Sequence, residues 1–488
     1  MTPLLHSAEL RAFELHHAAL PLMERAGEAA ADCALQLRCG TKPILVLAGP
    51  GNNGGDAMVL ARVLYERRVP VALVFPGNAA KLPKDAQAAY EKLVATGLAI
   101  HHEVPAGKFS LVVDGLFGIG LSRPIEGEWA ALIERINHFA GPVLALDLPS
   151  GLDADTGSIH GVAVRACHTA TFIAGKPGLY TADGPDHCGT ISIHDLHLPA
   201  IASAGAVLSI DHFSDALRPR QRNSHKGSNG SLAIVGGAPG MTGAALLAAR
   251  AALKLGAGRV FVGLLDRLPV DYGQPELMLR EPAEALAQAS AGVIGPGLGI
   301  TTAAYEFLCR AVSADFPLLI DADGLTLISQ HPVLARNIAR RNSPTVLTPH
   351  PAEAARLLGC TTENVQADRV AAALRLSEQF CAIVALKGCG TVLANPDAQW
   401  RINTTGNPGL ASGGTGDVLA GMTGALLAQG WSAWSALCCA VHLHGAAADH
   451  CVAAGDGPIG LAASELIEPA RQLLNGWIND YGDSLSSN

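Results

Sequence analysis

Short runs of Val, Leu, Ile and Ala recur along the chain, separated by Ala-rich stretches in which apolar residues return at helical spacing. Runs that are apolar throughout, instead of alternating with polar residues, suit a parallel sheet covered on both faces. In the first part they predict strands at Ile44–Ala48, Val71–Phe75, Leu111–Asp114, Val143–Asp147 and Thr169–Ile173. A polar connection, LRPRQRNSHK at Leu217–Lys226, breaks the series. It resumes at Leu232–Val235, Val260–Val262, Val293–Ile294, Leu318–Ile320, Val346–Leu347 and Ile383–Leu386. The expected fold class is therefore α/β, with a boundary near 215 that gives domains 1–215 and 216–488. The length of 488 residues is also too great for one ordinary core.

One stretch, from Asp417 to Asp449, carries no formal charge between its ends and is long enough for a membrane span. It is interrupted by glycines, Gln429, two serines and two histidines, so the expectation is two buried helices broken at Ala428–Trp431 and no membrane partner. His442, His444 and His450 have the spacing of a metal trio, but within this Ala-rich helix a packing role is expected.

Composition narrows the class. Hydrophobic residues are 49% and aromatics 5% of the chain, as in a close-packed α/β enzyme. A formal net charge of −9 without a basic stripe argues against nucleic acid. The 11 cysteines form no CxxC pair, so neither a zinc site nor a disulfide framework is indicated and a reducing cytoplasm is expected. The opening MTPLLHSAELRAFELHH lacks the apolar core of a signal peptide.

Directly after the first strand comes GPGNNGGDA, in which Gly49, Gly51 and Gly54 match the spacing of a dinucleotide-binding turn. A usual NAD site also needs a carboxylate about 20 residues on to hold the adenosine ribose. Here the second strand runs into Phe75-Pro76-Gly77-Asn78, so the standard pose is not expected. The loop instead offers Asn52, Asn53 and Asp56, oxygens fit for a polar substrate or a hard cation. Two further strand ends carry Asp114, Asp147 and Ser150, and neighbouring strand ends in a parallel sheet form one crevice. Alone each reads as a helix cap; together they predict a site.

With PLMERAG upstream, the segments GPGNNGGD, VDGLFGIGL and DLPSGLD resemble the epimerase domain of the NAD(P)H-hydrate repair enzymes, over about residues 1–210. The resemblance implies that Asn52, Asn53, Gly54, Gly55 and Asp56 contact the hydrated nucleotide. So would Gly118, Ile119, Gly120, Leu121, Ser122, Arg123, Pro124 and Asp147. It implies a potassium ion near Asn53, Asp114 and Ser150. Ala57 departs from the family's usual glycine, and a methyl there would be expected to crowd the loop.

No Walker loop exists, so phosphate binding in the second part must come from elsewhere. Gly409-Leu410-Ala411-Ser412-Gly413-Gly414-Thr415-Gly416-Asp417, ahead of a helix at Val418–Ala428, offers backbone N–H groups and the positive end of a dipole. Asp417 would meet the hydroxyl that attacks a phosphoryl group. Gly295–Gly299 and Thr348–Glu353 each follow a strand; Lys387-Gly388-Cys389-Gly390-Thr391 joins two β-like runs. HKGSNGSL, GPGLG, TPHPAEAARLL, KGCGT and ASGGTGDVLAG resemble the dehydratase domain of the same repair enzymes, within the ribokinase-like superfamily, over about residues 220–480. The resemblance implies that Ala244, Gly297, His350 and Asp417 contact the hydrate. Lys387, Gly388, Cys389, Gly390, Thr391 and Gly416 would contact the nucleotide, ADP or ATP with magnesium.

The implied enzyme is bifunctional, acting on the small molecules NADHX and NADPHX in the cytoplasm, with a homo-oligomeric assembly expected. It would interconvert R- and S-hydrates through Asp147 and dehydrate the S form through Asp417. The rival reading is a ribokinase-like small-molecule kinase fused to a binding or scaffold domain, since fold alone does not set function.

Overall fold

The computed structural model describes residues 1–121 and 123–485. They form two compact units, Thr2–Gly205 and a second from Ala206 onward. The division falls upstream of 215 because Leu208, Phe213 and Leu217 are buried in the second unit's core.

In the first unit the strands are β1 (Ile44–Ala48), β2 (Val71–Val74), β3 (Ile100–His101), β4 (Leu111–Gly115), β5 (Val143–Leu146), β6 (His168–Phe172) and β7 (Thr190–His194). Their spatial order is β3-β2-β1-β4-β5-β6-β7, and every pair is parallel. The central strands are buried along their whole length, which is why they read as unbroken apolar runs. Helices α1 (Ser7–His16), α2 (Leu22–Leu37) and α3 (Asn52–Glu66) follow the same logic, and α2 and α3 bury alanines against one face of the sheet. The chain layers outward from β1 in both directions, so the crevice between the carboxyl ends of β1 and β4 is the topological switch point.

Nine strands of the second unit are β8 (Ser231–Gly236), β9 (Arg259–Leu264), β10 (Met278–Arg280), β11 (Ala291–Ile294), β12 (Leu318–Ile320), β13 (Thr345–Leu347), β14 (Ile383–Leu386), β15 (Val392–Ala394) and β16 (Trp400–Ile402). They run in the order β16-β15-β14-β13-β12-β11-β8-β9-β10. Pairing is parallel except where β15 and β16 add antiparallel strands at one end. Helices α4 (Thr242–Lys254), α5 (Pro351–Leu358), α6 (Thr415–Ala428) and α7 (Ala433–Ala454) matter for the site. Both α6 and α7 are mostly buried in the main core, and no helix among the described residues is long and apolar enough to cross a membrane.

Each expected strand is present, its ends shifted by at most a few residues. Two of the unexpected ones, Thr190–His194 and Met278–Arg280, are edge strands that mix polar and apolar positions. One sheet face or edge of such a strand is solvated, so a search for continuous apolar runs passes over it.

Candidate active sites

The glycines of the first loop serve close backbone approach. A Cβ on Gly49 would lie 1.6 Å from the carbonyl oxygen of Leu116, and one on Gly54 would lie 1.9 Å from that of Gly49. The start of α3 is thus pressed against the loop after β4, and Asn53 Nδ2 donates to Phe117 O at 3.0 Å across that gap. Ala57 does not crowd this loop. It is fully buried on α3, and its methyl fills the space beside Gly115, where a Cβ would approach it to 2.6 Å.

At the end of β4, Asp114 is wholly buried. Its Oδ1 accepts from Ser150 Oγ at 2.6 Å and from Leu116 N at 3.2 Å, and its Oδ2 accepts from Ser150 N at 2.8 Å. Burial still dominates those bonds and pushes the carboxyl up to about 6. Asn53 Oδ1, buried close by, has no hydrogen-bond partner among the described residues. A buried carboxylate short of positive charge beside an orphaned amide oxygen is a donor set that a cation would complete.

Asp147 and Asp56 form a separate cluster instead of joining Asp114 directly. Asp147 follows β5 at φ +64 and is ion-paired with Lys176, whose side chain is completely buried. Burial, and then the charge of Asp147, push the Asp56 carboxyl well above its usual range; Glu14 on α1 is raised for the same two reasons. Lys176 and Glu14 escaped sequence reasoning. The lysine's only signal was a lone charge in FIAGKPGLY, just beyond an apolar strand.

The expected substrate loop lies alongside. A Cβ on Gly118 would be 3.2 Å from Asn53 Cβ, and Arg11 of α1 donates to Ile119 O at 3.0 Å. Asn52, Gly120, Arg123 and Pro124 are exposed, Gly54 and Gly55 buried, and Leu121 half-buried. Ser122 lies outside the described residues.

In the second unit the strand ends again converge. Asp321, immediately after β12 and almost fully buried, accepts from Lys387 Nζ at 2.8 Å. Lys387 leaves the end of β14 and reaches the start of α6, where a Cβ on Gly416 would sit 3.4 Å from its Nζ. Burial opposes the ammonium charge, but Asp321, Glu353 and Asp417 outweigh it and hold Lys387 above its ordinary value. Asp417 is in the first turn of α6; burial and the nearby charges of Asp321 and Asp323 overcome Lys387 and raise its carboxyl to about 6.

His350 caps α5. Its Nδ1 accepts from Ala352 N at 3.1 Å and more weakly from Glu353 N, leaving a half-exposed ring. Glu353 returns the capping bond to His350 N at 2.8 Å and, chiefly through burial, is raised to about 7. Gly297 and Ala244 come together, a Cβ on the glycine lying 3.2 Å from that of Ala244. The Lys387–Thr391 loop is held from behind by Arg369, whose buried guanidinium donates to Leu386 O and Lys387 O, both at 3.2 Å. Cys389 is exposed on that loop, and Thr391 Oγ1 donates to Gly388 O at 3.1 Å. Asp321 and Arg369 were not expected from sequence, because neither lies in a motif; the Glu353 carboxylate was expected at a strand end, but not beside Lys387.

A groove of about 550 Å³ opens between Pro408–Gly413 and Pro458–Ala463, next in the chain to the glycines before α6. Thr415 Oγ1 donates to Leu410 O and Ser412 O, each at 3.0 Å, and fixes this turn. The three α7 histidines do not form a cluster: His442 stacks near Phe213 and Trp477, whereas buried His444 is bonded to the Thr415 backbone.

A Rossmann-ordered parallel sheet joined to a second α/β unit with a glycine-rich helix start has the architecture of a two-domain α/β enzyme. Residues 19–178 match the family model described as YjeF-related protein N-terminus, and residues 232–470 match NAD(P)H-hydrate dehydratase. The second unit is similar to a ribokinase-like superfamily protein from Enterococcus faecalis, with TM-score 0.50 and 26% identity over 58% of this chain and 99% of that one. The chain is 39% identical to the bifunctional NAD(P)H-hydrate repair enzyme Nnr of Escherichia coli over 482 residues, 96% of this chain and 92% of that protein. It is also 39% identical to the enzyme of that name from Coxiella burnetii, covering 93% and 94% of the two chains. The chain belongs to the bifunctional NAD(P)H-hydrate repair enzymes.

Proposed function

We propose that the first unit interconverts R- and S-hydrates of NADH and NADPH, and that the second dehydrates the S form using ADP. The observation that carries the second assignment is Asp417 at a glycine-led helix start, facing the Lys387–Asp321 pair.

In the dehydration, Asp417 takes the proton of the C6 hydroxyl as that oxygen attacks the β-phosphoryl group of ADP, releasing AMP. The ring nitrogen lone pair then expels phosphate from C6, and loss of the C5 proton restores NADH or NADPH. Lys387 and the N–H groups of Gly414–Gly416 offset phosphoryl charge. The groove beside Gly413 has room for the nucleoside. Magnesium fits the oxygen donors present: Glu353, buried and raised to about 7, would hold it together with phosphate oxygens. A cation held there would supply positive charge against the transferred group.

In the epimerisation, the C6 hydroxyl takes a proton from solvent and departs as water while the ring nitrogen lone pair forms a C=N bond. Water then adds to the opposite face as a carboxylate takes its proton, which passes back to solvent. Asp147 is the group assigned to that transfer. Potassium fits at Asn53, Asp114 and Ser150, where it would supply the positive charge that buried Asp114 lacks. Eleven cysteines, none paired among the described residues, suit the reducing cytoplasm.

The test is to supply purified protein with resolved hydrates and ADP, following reduced nicotinamide and free phosphate together. Equal amounts of both are expected. A stable phosphorylated product without reduced nicotinamide would favour the kinase reading.

A further inference from the structure

Lys176 has no solvent exposure, yet its side chain ends beside the crevice of the first unit. An unpaired ammonium at such depth would be costly, and this one is fully engaged. It is ion-paired with Asp147 Oδ1, donates to Thr171 Oγ1 at 2.7 Å and donates to Phe172 O at 2.9 Å. All three ammonium hydrogens are thereby used, so Lys176 has no donor left for a ligand.

The three acceptors belong to two strand ends, and each end is strained. Asp147, after β5, has φ +64, and Ile173, after β6, has φ +70. For a β-branched residue such as Ile173 that conformation is a real outlier, which persists only where surrounding bonds over-determine it. One ammonium clamps both turns at once. Thr171 Oγ1 and Phe172 N also donate to Asp147, at 3.3 and 3.4 Å, and both choose Oδ1. Among the described residues Oδ2 accepts nothing. The side chain is 14% exposed, so that oxygen is the part left for a ligand.

We propose that Lys176 is a positioning residue for epimerisation: by occupying Oδ1 and tying together the ends of β5 and β6, it presents Asp147 Oδ2 to the hydrate. The inference rests on the assignment of Asp147 as the proton-handling group. Asp56 from α3 and Glu14 from α1 face the same pair. Burial and Asp147 raise both, and Lys176 pulls both back, joined at Glu14 by Arg11, so the ammonium is the positive charge that all three carboxyls share.

The test uses the full-length protein and resolved R-hydrate. Lys176→Met is expected to lower kcat for R-to-S conversion by about 10²-fold, the scale of a misplaced reacting group, while KM changes less than about threefold. In an Asp147→Asn background the same substitution should cost nothing further, because a residue that acts through another contributes nothing once that partner is removed. Wild-type kcat in folded Lys176→Met, or losses that simply multiply in the double variant, would overturn the inference. If Lys176→Met does not fold, Thr171→Val decides. It removes one acceptor isosterically and should give a smaller loss, again in kcat and not in KM; an unchanged kcat would count against the proposal. Full epimerisation by Asp147→Asn alone would instead refute the underlying assignment of Asp147.

Discussion

In the first unit Asp147 leaves a strand end in a strained bend and is ion-paired with a wholly buried lysine. In the second unit Asp417 lies in the first turn of a helix, and the nearest lysine, Lys387, is bonded to Asp321 instead. One carboxylate is oriented by its counter-ion, the other by regular backbone. The difference has a chemical consequence. With Lys387 engaged elsewhere, burial and repulsion from Asp321 and Asp323 raise Asp417 to about 6, within the range where a base works best near neutral pH. On the proposed assignment the two units would reach proton transfer by different supports, and each support can be removed separately.

The sharpest division should come from Asp417→Asn, which keeps the size of the side chain but abolishes its basicity. Dehydration of S-hydrate should fall by about 10²- to 10⁴-fold, measured as ADP-dependent formation of reduced nicotinamide, with R-to-S conversion retained. Asp147→Asn should reverse the pattern, slowing epimerisation by roughly 10²-fold while pure S-hydrate is still dehydrated. If either folded variant lost both activities, the comparison between independent sites would collapse.

Proton titration sharpens the comparison next. Asp417 must be ionised to accept a proton, and its raised value of about 6 means that dehydration declines as pH falls through 6. Below that point the rate should drop about tenfold per pH unit, and a rate profile on S-hydrate at saturating ADP checks it. A profile flat down to pH 5 would deny Asp417 its role as base.

A smaller and one-sided effect is expected from the cation. Replacing potassium by lithium or choline should slow epimerisation several-fold through the Asn53–Asp114–Ser150 cluster. Equal R-to-S rates in the three salts would remove the ion from the first site. The mildest change should be Ala57→Gly. Because the methyl packs against Gly115 and leaves the substrate loop uncrowded, the substitution should cost about 1 kcal/mol of stability, the usual helix penalty. Thermal denaturation should show that loss, and epimerisation should stay unchanged.

The amino-acid order alone determined the central strands of both sheets, the two-part organisation and the glycine-rich turns. The physical cause is local: buried parallel strands must be apolar on both faces, and close backbone contacts must be glycine. It also marked Asp114, Asp147, Ser150 and Asp417, since each stands at the end of a legible element. The edge strands stayed hidden because half their surface is solvated. Only the tertiary structure decided that Asp147 belongs with Lys176, Asp56 and Glu14, and that Asp114 belongs with Ser150 and Asn53. It likewise brought Asp321 and the strand-end carboxylate of Glu353 to Lys387, a meeting that no spacing in the chain marks. Charge partners lie tens of residues apart in the chain and meet only because sheet order sets which strand ends are neighbours; nothing in local spacing encodes that order.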